Sequence, residues 1–93
     1  MGEEKELASK HDGQKIQVEL VPPAFIMQIA MVLGHGAKKY GANNWRKGLP
    51  WMRIYASTLR HLFAWAGGED IDAESGMSHL NHAATNIMFL STC

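Results

Sequence analysis

Acidic residues are missing from the middle of this sequence. Between Glu19 and Glu69 there is no Asp or Glu, while Lys38, Lys39, Arg46, Lys47, Arg53 and Arg60 all fall there. Both ends compensate: residues 1–19 carry a net −2, residues 69–93 a net −4, and the 93-residue chain is formally neutral. Flanking negative charge opposes wrapping on a polyanion, and no helix-turn-helix pattern is present, so nucleic acid is not the expected partner. Cysteine is nearly absent as well. Cys93 stands alone, which excludes an internal disulfide and makes a reducing cytoplasm the expected compartment. No apolar run approaches ~18 residues, so no membrane span is expected. The polar N-terminus, MGEEKELASKHDG, does not read as a signal or transit peptide. There is no internal repeat and no low-complexity tract.

What is present suits one small domain. A hydrophobic content of 46% over so short a chain gives a marginal core unless oligomerisation enlarges it. Residues 1–14 read as a flexible N-terminal arm and residues 15–93 as a single helical domain. From Lys15 to Leu20 polar and apolar residues alternate. That is strand periodicity, although one short strand needs a partner edge and the segment could equally be an arm lying on another subunit. Pro22-Pro23 ends it and suits the first turn of a helix. From Ala24 to Leu33 only Gln28 is polar. A helix apolar nearly all round is buried nearly all round, so a homo-oligomer is expected. This helix should run through Lys39, with Gly41 as its cap.

A loop follows, holding Trp45 and Trp51. The second helix is expected from about Met52 to Ala66. Tyr55, Leu59, Leu62, Phe63 and Ala66 form its apolar stripe, and Gly67-Gly68 stops it. EDIDAESG, from Glu69 to Gly76, is an acidic connector. Ser75 or Ser78 can cap a third helix reaching about Leu90. Winding it at about 100° per residue sets Leu80, Ala83, Ala84, Ile87, Met88 and Leu90 on one arc. His79, His82 and Asn86 fall together on another.

Two constellations can carry chemistry. The first is GHGAKKYGANNWRKG, from Gly34 to Gly48, extended by Arg53 and Arg60. Cations bind phosphate, glycines admit a close backbone, and aromatics stack on bases. Lys39, Arg46, Arg60 and His61 are candidate phosphate ligands, with Asn44 beside them and Tyr40, Trp45 or Trp65 available to stack on a base. The spacing is not that of a phosphate-binding P-loop. The plain alternative is a solvated basic loop with its tryptophans in the core. The second constellation is Glu69, Asp72 and Glu74 with His79 and His82. Its carboxylates suit Mg²⁺, which takes oxygen ligands and keeps water for a substrate phosphate. The alternative is a capping loop whose acids pair with Arg53 or Arg60. His79 and His82, three apart, are weak as a zinc signal and read better as donors to phosphate or carboxylate.

GAKKYGANNWRKG, then Arg60-His61 and Ala64-Trp65, then GEDIDAESGMSHLNHA ending in Asn86 and Phe89-Leu90, resembles the N-terminal domain of phage dATP/dGTP diphosphohydrolases. The likeness covers roughly residues 12–91, nearly the whole chain, and includes the preceding ELVPP. It implies that Lys39, Tyr40, Asn44, Trp45, Arg60, His61, Glu69, Asp72, Glu74, His79 and His82 are functional. The activity it implies converts a purine deoxynucleoside triphosphate to monophosphate and pyrophosphate, in the cytoplasm of an infected host cell. Helical pyrophosphohydrolases of the MazG type hold Mg²⁺ with paired acids on facing helices. That quartet cannot be assembled from the first two helices here, since they lack acids.

The expected fold is therefore all-α, a small oligomeric bundle of three main helices with an extended N-terminal arm. The leading functional expectation is capture of a purine nucleotide, or a nucleotide-derived immune signal, through the basic and aromatic residues without turnover. Lys39, Tyr40, Asn44, Trp45, Arg46, Arg60, His61, Trp65 and His82 would bind it, and no cofactor is needed. The alternative is Mg²⁺-dependent hydrolysis of dATP or dGTP, with Glu69, Asp72 and Glu74 on the metal and His79 assisting proton transfer.

Overall fold

Three helices carry the architecture, and the third is the one against which the other two pack. The computed structural model describes residues 15–40, 48 and 50–92, the side chains at positions 39 and 40 excepted. The expected arm over residues 1–14, the Gly41 cap and the loop residues 41–47 lie outside the described residues. The helices are α1 (Pro23–Tyr40), α2 (Trp51–Ala66) and α3 (His79–Thr92). The fold is all-α, as the sequence pattern implied.

The segment read as strand-like is not a strand. Val18–Leu20 forms one 3-10 turn, with Leu20 N–H donating to Gln17 O at 3.1 Å and Val21 N–H to Val18 O at 3.2 Å. No strand edge among the described residues offers Ile16, Val18 and Leu20 a ladder, so the backbone satisfies itself locally. Helix boundaries follow their local signals more closely. Pro23 sits at the first position of α1, where its missing N–H costs nothing. At the end of α2, Gly67 N–H bonds to Phe63 O, and Gly68 adopts φ +102°. Ser78 caps α3 in preference to Ser75. Its Oγ accepts from the N–H groups of Leu80 and Asn81 at 3.1 and 3.4 Å.

The connector between α2 and α3 is a closed loop rather than a loose acidic link. Asp72 N–H donates to Met77 O at 2.8 Å, Gly76 N–H to Asp72 O at 2.7 Å, and His79 N–H to Asp70 O at 2.9 Å. An isolated bridge pairs Ile71 with Ser78. Gly76 closes the turn at φ +72°, a conformation in which a Cβ is strained. This loop carries the acidic motif and delivers His79 into the bundle.

Helix faces are distributed in an unusual way. Among the described hydrophobic residues only Val32 and Ala83 are buried, at 8% and 2% exposure. The other buried residues are Thr58, His79 and Thr85. The two threonines satisfy their hydroxyls on carbonyls four residues back, Ile54 O at 2.7 Å and Asn81 O at 2.8 Å, as buried hydroxyls require. The polar edge foreseen on α3 therefore faces inward. Asn86 Nδ2 donates to Ser57 Oγ on α2 at 3.2 Å, and Asn81 Nδ2 to Gln28 Oε1 on α1 at 3.2 Å. Gln28, the lone polar residue of its stretch, is thereby spent on an interhelical bond. Of the apolar stripe of α2, Leu59 and Leu62 are half-buried, while Tyr55 and Phe63 are exposed.

The loop geometry gives a first test. No atom lies within 4 Å of a Cβ built at Gly76, so a substitution there reads backbone strain alone. Gly76→Ala should destabilise the fold by about 1–2 kcal/mol, and Gly76→Asn by clearly less, because Asn tolerates the left-handed region. Equal losses in urea unfolding for the two variants would contradict this account of the turn.

Candidate functional site

Polar side chains from α2, α3 and the loop between them meet at one place. His61 lies in the third turn of α2, where the helix presents Thr58 and His61 toward α3. His79 opens α3 immediately after its Ser78 cap, and His82 follows one turn later on the same edge. Backbone bonds of the loop fix Asp72 and Ser75 beside them.

The central contact is between two imidazoles. His61 Nδ1 and His79 Nδ1 are 2.8 Å apart, so one ring donates a proton to the other and the pair shares it. His79 is buried at 5% exposure, and its other nitrogen, Nε2, has no hydrogen-bond partner. That nitrogen lies 3.5 Å from Glu69 Oε2, within electrostatic reach but beyond a well-formed hydrogen bond. Glu69 itself is largely exposed, at 57%. A buried polar atom without a partner is costly, about 1–3 kcal/mol, and its orientation toward an exposed carboxylate marks a route from solvent into the cluster.

His82 is held from the other side. Its Nε2 is 2.6 Å from Ser75 Oγ and 3.7 Å from Asp72 Oδ2. Ser75 donates its N–H to Asp72 Oδ2 at 3.1 Å and its hydroxyl to the same oxygen at 2.9 Å. With the serine proton directed at Asp72, His82 Nε2–H donates to Ser75 Oγ and leaves Nδ1 bare. The His61 and His82 rings stack, centroids 4.6 Å apart and planes 7° from parallel.

Electrostatics follow from this crowding. Burial, then the neighbouring imidazoles His82 and His79, holds His61 below the ordinary histidine range; Asp72 opposes the shift and Arg60 adds to it. His82 is lowered chiefly by burial, with Asp72 and Glu74 opposing and His35 and His79 reinforcing. For Asp72, burial alone would raise the pKa. The two bonds from Ser75 and the fields of His82 and His61 outweigh it, and the net shift is downward. The site thus favours neutral rings at His61 and His82 beside an ionised Asp72.

The sequence-predicted residues divide accordingly. His61, His79, His82, Asp72 and Glu69 come together. Glu74 is exposed and acts on His82 through its charge. Arg60 is exposed and acts on His61 in the same manner. Trp65 is 45% exposed on α2. The side chains of Lys39 and Tyr40, and all of Asn44, Trp45 and Arg46, lie outside the described residues. Two participants were not foreseen as site residues. The sequence marks Ser75 only as a possible cap, although three residues after Asp72 is the spacing at which a capping aspartate accepts a backbone N–H. His35, from α1, had no signal beyond its glycine neighbours.

Metal ligation has less support in this arrangement. Among the described residues no three His, Cys, Asp or Glu side chains converge on one point. Asp72 is committed to Ser75 and His82, and Glu69 faces His79, so Glu69, Asp72 and Glu74 do not fit a common Mg²⁺. No helix among the described residues is long and apolar enough to cross a membrane.

Comparison with known proteins gives a consistent result. The family model for the N-terminal region of dATP/dGTP diphosphohydrolases matches residues 5–93. A dATP/dGTP diphosphohydrolase of Salmonella phage PMBT28 is 37% identical over 81 residues, covering 87% of this chain. The chain spans only 28% of that relative's length. No solved structure matches.

The histidine shifts predict how the fold responds to acid. Both His61 and His82 bind protons less readily folded than unfolded, so their contribution is full above about pH 6.5 and lost as pH falls below it. Thermal melts should show a flat midpoint from pH 8 to 7 and a decline toward pH 5.5. His82→Gln should flatten that decline. A midpoint that rises on acidification through this window would contradict the assignment.

Proposed function

The chain belongs to the dATP/dGTP diphosphohydrolase N-terminal family, and from that premise we propose that it acts on a purine deoxynucleoside triphosphate, releasing pyrophosphate. The observation that carries the reading is the orphaned Nε2 of buried His79, set behind exposed Glu69 and joined through Nδ1 to His61. In the reaction, water attacks the α-phosphorus, the bond from that phosphorus to the bridging oxygen breaks, and pyrophosphate leaves with the bond's electrons. The proton lost by the water needs an acceptor. Glu69 meets the water at the surface, and the His79–His61 pair behind it takes up the positive charge as the proton moves inward. His82, fixed by Ser75 and Asp72, holds His61 in place by stacking. Cations of the central segment, Lys39, Arg46 and Arg60, neutralise the triphosphate, and Tyr40, Trp45 or Trp65 supplies a stacking surface for the purine. The Mg²⁺ expectation is not used in this scheme, because the carboxylates do not converge.

A second reading, capture of a purine nucleotide or nucleotide-derived signal without turnover, draws on the engagement of Asp72 by Ser75 and His82. A carboxylate so occupied is a structural anchor rather than a reacting group.

Incubation with dATP and dGTP, with Mg²⁺ or Mn²⁺ and with EDTA, separates the two readings. Pyrophosphate and dNMP should form, and Glu69→Gln and His79→Gln should each slow this by about 10²-fold or more while binding by calorimetry persists. Intact nucleotide recovered from a tight complex would favour capture. Neither binding nor turnover would remove both readings.

A further inference from the structure

One face of α2 leaves a row of large apolar and aromatic side chains uncovered. At 100° per residue, Trp51, Met52, Tyr55, Leu59, Phe63 and Ala66 share one arc. Its centre lies about 110° round the helix from that of Thr58 and His61, whose side reaches α3. Phe63 is 69% exposed, Trp51 64%, Met52 58% and Tyr55 47%. A helix that leaves Trp51, Met52, Tyr55 and Phe63 in water is not at its free-energy minimum alone.

We propose that this arc is the seam of an antiparallel dimer, α2 packed on α2 of a second copy about a two-fold axis. Size supports it. Aromatic side chains carry roughly 150–250 Å² each, so the arc offers on the order of 500 Å² per copy. The pair then reaches the ~1,000 Å² expected of a specific interface.

Charge identifies the occupant as a second copy. Arg53 and Arg60, seven residues apart, line one edge of the arc, and among the described residues neither forms an ion pair with a carboxylate. Glu69 and Asp70 follow directly after the other end of the helix. Within one chain Arg53 and Glu69 are separated by about 24 Å of helix rise, too far to meet. An antiparallel copy sets the start of one α2 against the end of the other, bringing Arg53 to Glu69 and Asp70 of the second copy in two equivalent places. The same geometry delivers a guanidinium to the acidic mouth of the His79 cluster. The segregated charges of the sequence then neutralise between copies.

This inference stands whether or not the site turns over nucleotide. Its test is light scattering on the eluting 93-residue chain, with circular dichroism to report helix content. The wild-type chain should elute as a dimer. Phe63→Glu should elute as a monomer with helicity kept, and Arg53→Glu should weaken association by about tenfold or more. The charge exchange Arg53→Glu with Asp70→Arg should restore it, which decides the matter even where Phe63→Glu fails to fold. A monomeric wild type at the highest soluble concentration would overturn the proposal. So would a dimer indifferent to both Phe63→Glu and Arg53→Glu, or a charge exchange that restores nothing.

Discussion

The hydrogen bond between His61 and His79 is the constraint from which the rest of the structure follows. Two imidazoles 2.8 Å apart require that α2 and α3 approach through polar faces. Serine, threonine and asparagine must then line the rest of that seam, as Ser57, Thr58, Thr85 and Asn86 do. They also require one proton rather than two between the facing Nδ1 atoms, since two N–H groups at that distance would repel. Burial first, and neighbouring imidazoles after it, hold the pKa values of His61 and His82 down. Asp72 does not neutralise the cluster by direct pairing. It works at one remove, through Ser75, and so fixes a tautomer without forcing a charge.

A polar seam has a thermodynamic cost. Hydrogen bonds exchanged for water contribute about 0.5–1.5 kcal/mol each, whereas burying a Phe or Met side chain contributes about 1.5–3 kcal/mol. Spending the α2–α3 interface on imidazoles and hydroxyls therefore leaves this fold short of stabilisation. The missing hydrophobic burial is visible on the outside, where α1 exposes Ile26, Met27 and Met31 and α2 exposes Met52, Tyr55 and Phe63. The polar seam inside and the apolar exposure outside are two consequences of one choice of faces.

Much of this was legible in the sequence, and what was not has physical causes. Helix limits could be read because their signals are local: Pro22-Pro23 before α1, Gly67-Gly68 after α2, Ser78 before α3. The motif residues His61, Asp72, His79 and His82 could be named as candidates for the same reason. The alternation through Ile16, Val18 and Leu20 misled, because period two describes only side-chain order. Whether a strand forms depends on a partner edge that no short segment encodes. Periodicity likewise found the apolar stripe of α2 and the polar edge of α3, but says nothing of which side a neighbour occupies. The ordinary expectation, apolar side inward, holds only in part: Ala83 is buried, while Tyr55, Phe63 and Ile87 are exposed. Ser75 was within reach, given its spacing from Asp72; the approach of His61 to His79, eighteen residues away, was not.

The acidic motif takes on a different meaning once the loop is seen. Four carboxylates within six residues invite a single ion, and three of them have separate positions. Asp72 is folded into the turn, Glu69 stands beside His79, and Glu74 bears on His82 through its field. Such a division suits a site that manages one proton and lets cations from elsewhere manage phosphate. The absence of acids between Glu19 and Glu69 then has a purpose beyond solubility: it keeps Lys38, Lys39, Arg46, Arg53 and Arg60 free of nearby competing partners in the sequence. Negative charge is concentrated where it bears on the imidazoles of His61 and His82. The segregation that first set this chain apart thus places the acids Asp72 and Glu69 beside the histidine cluster.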